Sequence, residues 1–347
     1  MGKLRVAVLM GGPSSEREVS LRSGQMVLKN LDPERYEAFA VELNDLLAAP
    51  VVIAGLADRA DFVFLALHGR WGEDGTVQGL LEVLGLPYQG SGVMASALAM
   101  NKVRSKAVYQ ELGLPQARWL DWRRVDDGQY VRGCSALHGD TPLVPISADE
   151  VASRTIAVLG TDLVLKGATQ GSTLGLAMVD RPEAFTTGLG AVAAVDEEVL
   201  VEERIRGLEL TAGVLGETPP LALPLIEILP RSSDTFDYEA KYTPGATDEI
   251  CPARLDEAIT ATVQELARRA HHGLGCAGYS RSDFMLRDGI AYILETNTLP
   301  GLTEGSLLPQ AARVAGIMMP DLLDRLVRSG LALRGLPSQG QRRPVQG

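Results

Sequence analysis

Apolar positions along this chain fall in short runs closed by glycine and proline, the punctuation of a sheet-containing fold. The first run, Leu4–Met10, stops at Gly11-Gly12-Pro13-Ser14-Ser15, and a helix-compatible stretch follows to about Asn30. Strand, glycine turn and helix are how an α/β sheet begins. A second strand-like run, Phe62–Leu67, ends at His68-Gly69, and the turn cluster Pro87–Gly92 precedes a helix expected over Met94–Leu112. The first hundred residues therefore read as one open α/β unit. Residues 113–160 show no clean period. Beyond them, Thr161–Lys166 and Leu176–Val179 read as two strands of a hairpin around a Gly/Ser/Thr loop.

The remainder is strand-rich, with runs at Val199–Ile205, Glu209–Leu215 and Leu221–Leu229. A helix over about Leu255–Gly273 carries Ile259, Val263, Leu266 and Ala270 at helical spacing. Strands Gly278–Arg287 and Ala291–Thr296 flank Asp288-Gly289, and a last helix is expected near Pro320–Leu331. The tail after Gly335, rich in Pro, Ser, Gln, Gly and Arg, reads as disordered. No internal repeat is visible.

Length and composition narrow the function. At 347 residues, 46% hydrophobic and 22% charged, the chain has the size for two or three domains and the balance of a globular protein with a core. A net charge of -11 argues against a sequence-independent nucleic-acid binder, and 5% aromatics argues against base-stacking platforms. The chain start lacks a leader pattern, and no apolar stretch approaches about 18 residues, so a cytoplasmic protein that does not span a membrane is expected. Three cysteines, Cys134, Cys251 and Cys276, form neither a disulfide framework nor a CxxC clip.

Three clusters carry candidate chemistry. In Lys166-Gly-Ala-Thr-Gln-Gly-Ser-Thr-Leu-Gly175, glycines let backbone N–H groups turn toward an anion, hydroxyls add donors and the lysine supplies a charge. It is not a P-loop, and the chain has no GxGxxG fingerprint; taken alone, the loop is equally compatible with an ordinary hairpin turn. The late strands carry Asp283, Glu295 and Asn297, an oxygen-only set that suits Mg²⁺ beside nucleotide phosphates. Glu295 and Asn297 share a strand face. Asp283 joins them if residues 288–290 form a three-residue loop, whereas a two-residue loop puts it on the opposite face. Tyr238–Tyr242 sits in a long polar loop from about Arg231 to Thr247, which reads as a lid or as an ordinary surface loop.

Together these segments resemble the D-alanine–D-alanine ligase family of the ATP-grasp superfamily, from Val6 to about Leu326. The matching stretches are Gly11–Gly24, His68–Gly79, Gly90–Met100, Tyr238–Tyr242, Leu294–Gly301 and Ser306-Leu307. The resemblance implies an α/β, three-domain ligase in which central and C-terminal α+β domains clamp ATP. The expected boundaries are 1–103, 104–185 and 186–335, with a tail over 336–347. It implies ATP-dependent joining of two D-alanines through an acylphosphate for peptidoglycan precursor, with Mg²⁺ or Mn²⁺, in a homodimer.

By the same resemblance, Glu16 receives the first substrate's ammonium, and Ser172 with Tyr242 links it to the lid. Arg281 and the Gly301 N–H stabilise the oxyanion, Ser306 and Leu307 clamp the second carboxylate, and His68 lies near the substrate. Lys102, Lys166 and Lys241 match phosphate ligands, together with Gly171, Ser172 and Thr173 of the loop. Glu202, Glu203 and Ile205 match the adenine-facing strand, Glu209 the ribose ligand, and Asp283, Glu295 and Asn297 the metal ligands. A tyrosine at 242 favours the dipeptide over an ester, since related D-lactate ligases tend to carry Phe there. The chain departs from the family pattern at Asn101 (usually Asp), Gly167 (usually Pro), Thr173-Leu174 (a Ser-Val pair) and Phe236 (Tyr). The glycine is expected to loosen the phosphate loop. The alternatives are an ATP-grasp ligase joining D-alanine to another D-amino or D-hydroxy acid, or a nucleotide-binding homologue with a decayed catalytic site.

Overall fold

The computed structural model describes residues 2–45, 47–126, 128–169, 175–230 and 247–335. The first unit runs β1 (Leu4–Gly11), α1 (Arg17–Asn30), β2 (Tyr36–Leu43), α2 (Ala49–Ala54), β3 (Phe62–Leu65), α3 (Thr76–Val83), α4 (Val93–Met100) and α5 (Lys102–Glu111). β1 lies between β2 and β3, parallel to both. Val6–Leu9 are fully buried, as a parallel strand covered on both faces requires. Gly11 and Gly12 turn the chain out of β1 at φ 85° and 88°, conformations that disfavour a side chain.

The helix expected over 94–112 is two helices, broken at Asn101 (φ -86°, ψ 104°). Asn101 Oδ1 accepts the Arg104 N–H at 3.0 Å, so the side chain stops one helix by capping the next. Asparagine and aspartate cap equally well, which accounts for the departure at this position.

The middle unit comprises β4 (Trp119–Asp126), β5 (Gln129–Arg132), β6 (Ile146–Ser147), α6 (Ala148–Leu159), β7 (Leu163–Gly167), β8 (Leu176–Val179), α7 (Phe185–Ala193) and β9 (Glu198–Glu203). Its sheet order is β6-β5-β4-β9-β7-β8. Leu120, Trp122, Leu163, Leu165 and Val201 from the sheet join Val151, Phe185 and Leu189 from α6 and α7 in one core. The expected hairpin is there, β7 against β8. β9 lies between β4 and β7, so this sheet takes in residues past the expected boundary at 185/186. The missing periodicity in 113–160 has a cause: Asp121, inside β4, is fully buried and accepts the N–H groups of Cys134 (2.9 Å) and Ser135 (2.8 Å). Gly133 is needed there, since a Cβ would lie 1.8 Å from Asp121 Oδ2.

The third unit comprises β10 (Leu208–Leu215), β11 (Leu221–Ala222), β12 (Ile226–Pro230), β13 (Thr247–Ile250), α8 (Glu257–Gly273), β14 (Tyr279–Arg287), β15 (Ile290–Asn297), α9 (Leu307–Val314) and α10 (Met319–Arg334). Its sheet runs β13-β12-β10-β14-β15, with β11 on β10. Val263, Leu266, Ala267 and Ala270 of α8 cover one face, as their spacing predicts. α10 returns to the first unit, where Leu322, Leu323, Leu326 and Val327 share a core with Phe62 and Tyr88. Burying each such side chain contributes about 1.5–3 kcal/mol, so this shared core fixes the two units against each other. Among the described residues, no helix is long and apolar enough to cross a membrane. The tail expected to be disordered, 336–347, lies outside the described residues.

Candidate active site

The site begins with a register shift. Asp288 and Gly289, at φ 52° and 76°, form a two-residue turn between Arg287 and Ile290. A continuous ladder from that turn would set Asp283 opposite Leu294, with its side chain on the wrong face. A β-bulge intervenes: Phe284 pairs with Ile293, then Asp283 with Glu295 and Arg281 with Asn297. The three-residue loop is absent, and the extra residue in β15 brings Asp283 to the same face instead. Asp283, Glu295, Asn297 and Arg281 thus share one wall of a cavity of about 660 Å³.

On that wall Asp283 is tightly held. Arg281 grips it with both arms of the guanidinium, Nε to Oδ1 at 2.9 Å and Nη2 to Oδ2 at 2.8 Å, and Thr211 Oγ1 donates to Oδ1 at 2.6 Å. Lys102, the first residue of α5, reaches Glu295 Oε2 at 3.2 Å. Glu209 lines the same cavity.

The first unit supplies the opposite wall. Glu16 precedes α1, and His68 follows β3. His68 Nε2 lies 3.0 Å from Ser23 Oγ and Nδ1 lies 3.4 Å from Glu73 Oε1. The Gly69 N–H donates to that same carboxylate oxygen at 3.1 Å. Potential ligand atoms of Glu16, His68 and Glu73 all lie within 4.8 Å of one another, an anionic niche suited to an ammonium. Gly301 and Ser306 line the same cavity. A Cβ on Gly301 would sit 2.8 Å from Ser306 Oγ, so only glycine allows this approach. Ser306 Oγ bonds the Thr303 N–H (3.0 Å) and hydroxyl (2.7 Å), and Leu307 opens α9, whose first backbone N–H groups have no partner within the helix.

Lys166, Glu202, Glu203 and Ile205 lie outside this cavity's lining. Lys166, the penultimate residue of β7, meets Glu202 Oε2 at 2.8 Å, while Lys106 Nζ meets Glu202 Oε1 at 2.6 Å. Burial alone would push the Glu202 carboxyl up, but the two lysines override it and hold the group at about 2. Burial pushes Lys106 below its ordinary value against the pull of Glu202, whereas Lys166 is raised because Glu202, and more weakly Glu295 and Glu209, outweigh its burial. Glu203 closes the interior strand β9, its N–H donating to the Arg118 carbonyl at 3.0 Å. The Gly167 N–H donates to the Gly175 carbonyl at 2.9 Å, a bond that proline could not make, while the loop this glycine is expected to loosen, 170–174, lies outside the described residues. Gly171, Ser172, Thr173, Lys241 and Tyr242 lie outside the described residues, as does Phe236.

Comparison with known proteins follows the same division. The family model described as D-ala D-ala ligase N-terminus matches residues 5–48 and 51–91, and the one described as D-ala D-ala ligase C-terminus matches 144–328. The chain belongs to the D-alanine–D-alanine ligase family. A D-alanine–D-alanine ligase of Syntrophobacter fumaroxidans is 46% identical over 331 residues, covering 95% of this chain and 98% of the relative. Among solved structures, the Bacillus anthracis D-alanine–D-alanine ligase complexed with ATP aligns with a TM-score of 0.78 and 32% identity, over 95% of this chain and 98% of that one. The Coxiella burnetii enzyme also gives 0.78, at 27% identity, over 96% of this chain and 95% of that one.

For a D-alanine–D-alanine ligase, two charged groups here go beyond what the motifs announce. Glu73 lies in the matched segment five residues after His68, and its bond to the histidine could be sought only once a fold was known. Lys106 reads in sequence as one more cation of α5. Its distance of one helical turn from Lys102, which puts both on one helix face, was the available signal.

Proposed function

We propose that this chain joins two D-alanines into D-alanyl-D-alanine with ATP, releasing ADP and phosphate. The observation that carries the reading is the meeting in one cavity of an ammonium niche, an arginine fork and an oxygen-only acidic set, within a chain of this family. Glu16, with the His68–Glu73 pair beside it, takes the ammonium of the first D-alanine. One oxygen of that substrate's carboxylate attacks the γ-phosphorus, ADP leaves, and an acylphosphate forms. Lys102 and Lys166 hold the phosphates, helped by Lys241 and by Gly171, Ser172 and Thr173. Glu202, Glu203 and Ile205 face the adenine and Glu209 the ribose.

Ser306, Leu307 and the start of α9 receive the carboxylate of the second D-alanine, whose neutral amine attacks the acyl carbon. Arg281 and the Gly301 N–H donate to the oxygen that becomes negative, donors already fixed before reaction. Phosphate then leaves with the oxygen that came from the carboxylate. Asp283, Glu295 and Asn297 fit a hard cation, because the bulge turns an oxygen-only set toward the cavity. Mg²⁺ or Mn²⁺ held there would neutralise charge across the phosphates. Ser172 and Tyr242 complete the first-substrate side, and the Tyr242 hydroxyl favours the amine-accepting reaction over ester formation.

We further propose a cytoplasmic homodimer supplying peptidoglycan precursor; a solution mass near twice 37.1 kDa is expected, and a single-chain mass at micromolar concentration contradicts it. The activity is tested by phosphate release with ATP and Mg²⁺ in the presence of D-alanine, L-alanine, D-serine, or D-alanine plus D-lactate, with products identified by mass. D-alanine-dependent release with a D-alanyl-D-alanine product is expected. Release only with another acceptor would move the specificity, and no release with any of them would contradict ligase activity.

A further inference from the structure

The ion cluster beneath the nucleotide side of the cleft contains a residue that the reading above leaves without a task. Lys106 is fully buried, and its ammonium meets Glu202 Oε1 at 2.6 Å. The other oxygen of the same carboxylate meets Lys166 at 2.8 Å. Glu202 is 3% exposed, whereas the Lys166 side chain retains 19% exposure. One buried carboxylate is therefore shared between two ammonium groups, and one positive charge is left over. The sealed lysine cannot offer that surplus to a ligand. Lys166, the partly exposed member, can.

We infer that Lys106 is a positioning residue that occupies half of Glu202 and so leaves the charge of Lys166 available to a nucleotide phosphate. Without Lys106, Glu202 would serve Lys166 alone, and the pair would be neutral toward an anion. Glu295 and Glu209 also act on Lys166, more weakly than Glu202, and Glu203 acts on Lys106; none of them lies between the two lysines as Glu202 does. The inference rests on the reading of Lys166 as a phosphate ligand and adds the residue that tunes it.

The test compares binding of ADP with binding of adenosine to the full chain in Mg²⁺. The ratio of the two affinities isolates the phosphate contribution and cancels any contact of Glu202 with the base. Lys106→Met is expected to lower that ratio about tenfold. Lys106→Met/Glu202→Gln, which removes both partners and leaves Lys166 with its full charge, is expected to restore it. Because removing both members of a buried pair is far better tolerated than removing one, the double variant remains informative where the single variant folds poorly. In a Lys166→Met background, which itself lowers the ratio, the Lys106 substitution should have no further effect.

An unchanged ratio in Lys106→Met, or equal weakening of ADP and adenosine, overturns the inference, since a merely structural lysine gives that pattern. A double variant whose ratio stays at the Lys106→Met level, or falls below the wild-type ratio where the single variant does not fold, overturns it too. If Lys166→Met leaves the ratio unchanged, the phosphate reading of Lys166 fails, a result distinguishable from failure of the Lys106 inference alone.

Discussion

Helix α5 presents two lysines one turn apart to two different sheets, and their surroundings differ sharply. Lys102 meets Glu295 of β15 at 3.2 Å, with side-chain exposures of 11% and 25%; Lys106 meets Glu202 of β9 at 2.6 Å, with exposures of 0% and 3%. The less buried pair borders the cavity, where incoming oxygens or a cation can compete for either partner. The sealed pair cannot be exchanged. Removing one of its members leaves an uncompensated buried charge, whatever the net worth of the pair itself. The same two side-chain types therefore stand in different places: one pair lines the cavity, where the proposed function puts ligand, and the other is sealed outside its lining, where we infer that it sets the charge on Lys166.

The largest effect is expected at the sealed pair. Glu202→Ala should cost about 3–5 kcal/mol of folding stability, because the sealed Lys106 loses its carboxylate and the partly exposed Lys166 loses it too. A chemical-denaturation midpoint near that of the wild type would show that the cluster is solvated after all. Next comes the arginine fork. Arg281→Lys should lower kcat by about 10²- to 10³-fold, since an ammonium cannot both grip Asp283 and donate to the oxyanion in the same plane. Unchanged turnover would remove Arg281 from the reaction.

At the less buried pair, Glu295→Gln should weaken apparent metal affinity by about 10- to 100-fold, read as the Mg²⁺ dependence of turnover. Lys102→Met should cost less folding stability than Glu202→Ala, because its partner Glu295 keeps access to the cavity, while raising the KM for ATP. A large stability loss with an unchanged KM would contradict the division.

The smallest effect lies in the acid limb of the stability curve. His271, on α8, has Nδ1 2.7 Å from Ser280 Oγ, and burial, aided by His272, lowers it to about 4. The unfolded chain takes up this proton below about 6.5 and the folded chain only near 4. The stability from a neutral His271 is therefore complete above about 6.5 and lost as pH falls from there through 4. His271→Gln should flatten that part of a Tm-against-pH curve; an unchanged slope would assign the loss to other groups.

What the sequence revealed followed from periodicity and punctuation, and what it hid followed from single side chains. β1, β3, the β7–β8 hairpin, α8 and α10 announced themselves through apolar runs of the right period. The break at Asn101 was hidden because both halves of the 94–112 stretch are helix-compatible. The middle stretch hides its strand because β4 does not alternate: Trp119, Leu120, Asp121 and Trp122 are all buried, an acid among them, and the residues after them turn outward. α9 is only eight residues long and escaped notice. The acidic set was legible in Asp283, Glu295 and Asn297, but the bulge that aligns them leaves no mark in residue type. Lys106 was invisible for a related reason: a buried lysine and an exposed one are written with the same letter.

In the proposed reaction the D-alanine carboxylate itself attacks ATP and is then released from phosphate by a second amine. The most direct measurement supplies D-alanine labelled with ¹⁸O in both carboxylate oxygens and weighs the phosphate released. One ¹⁸O per phosphate is predicted, because the bridging oxygen of the acylphosphate departs with phosphorus. Unlabelled phosphate, or label recovered in AMP, would contradict the claim.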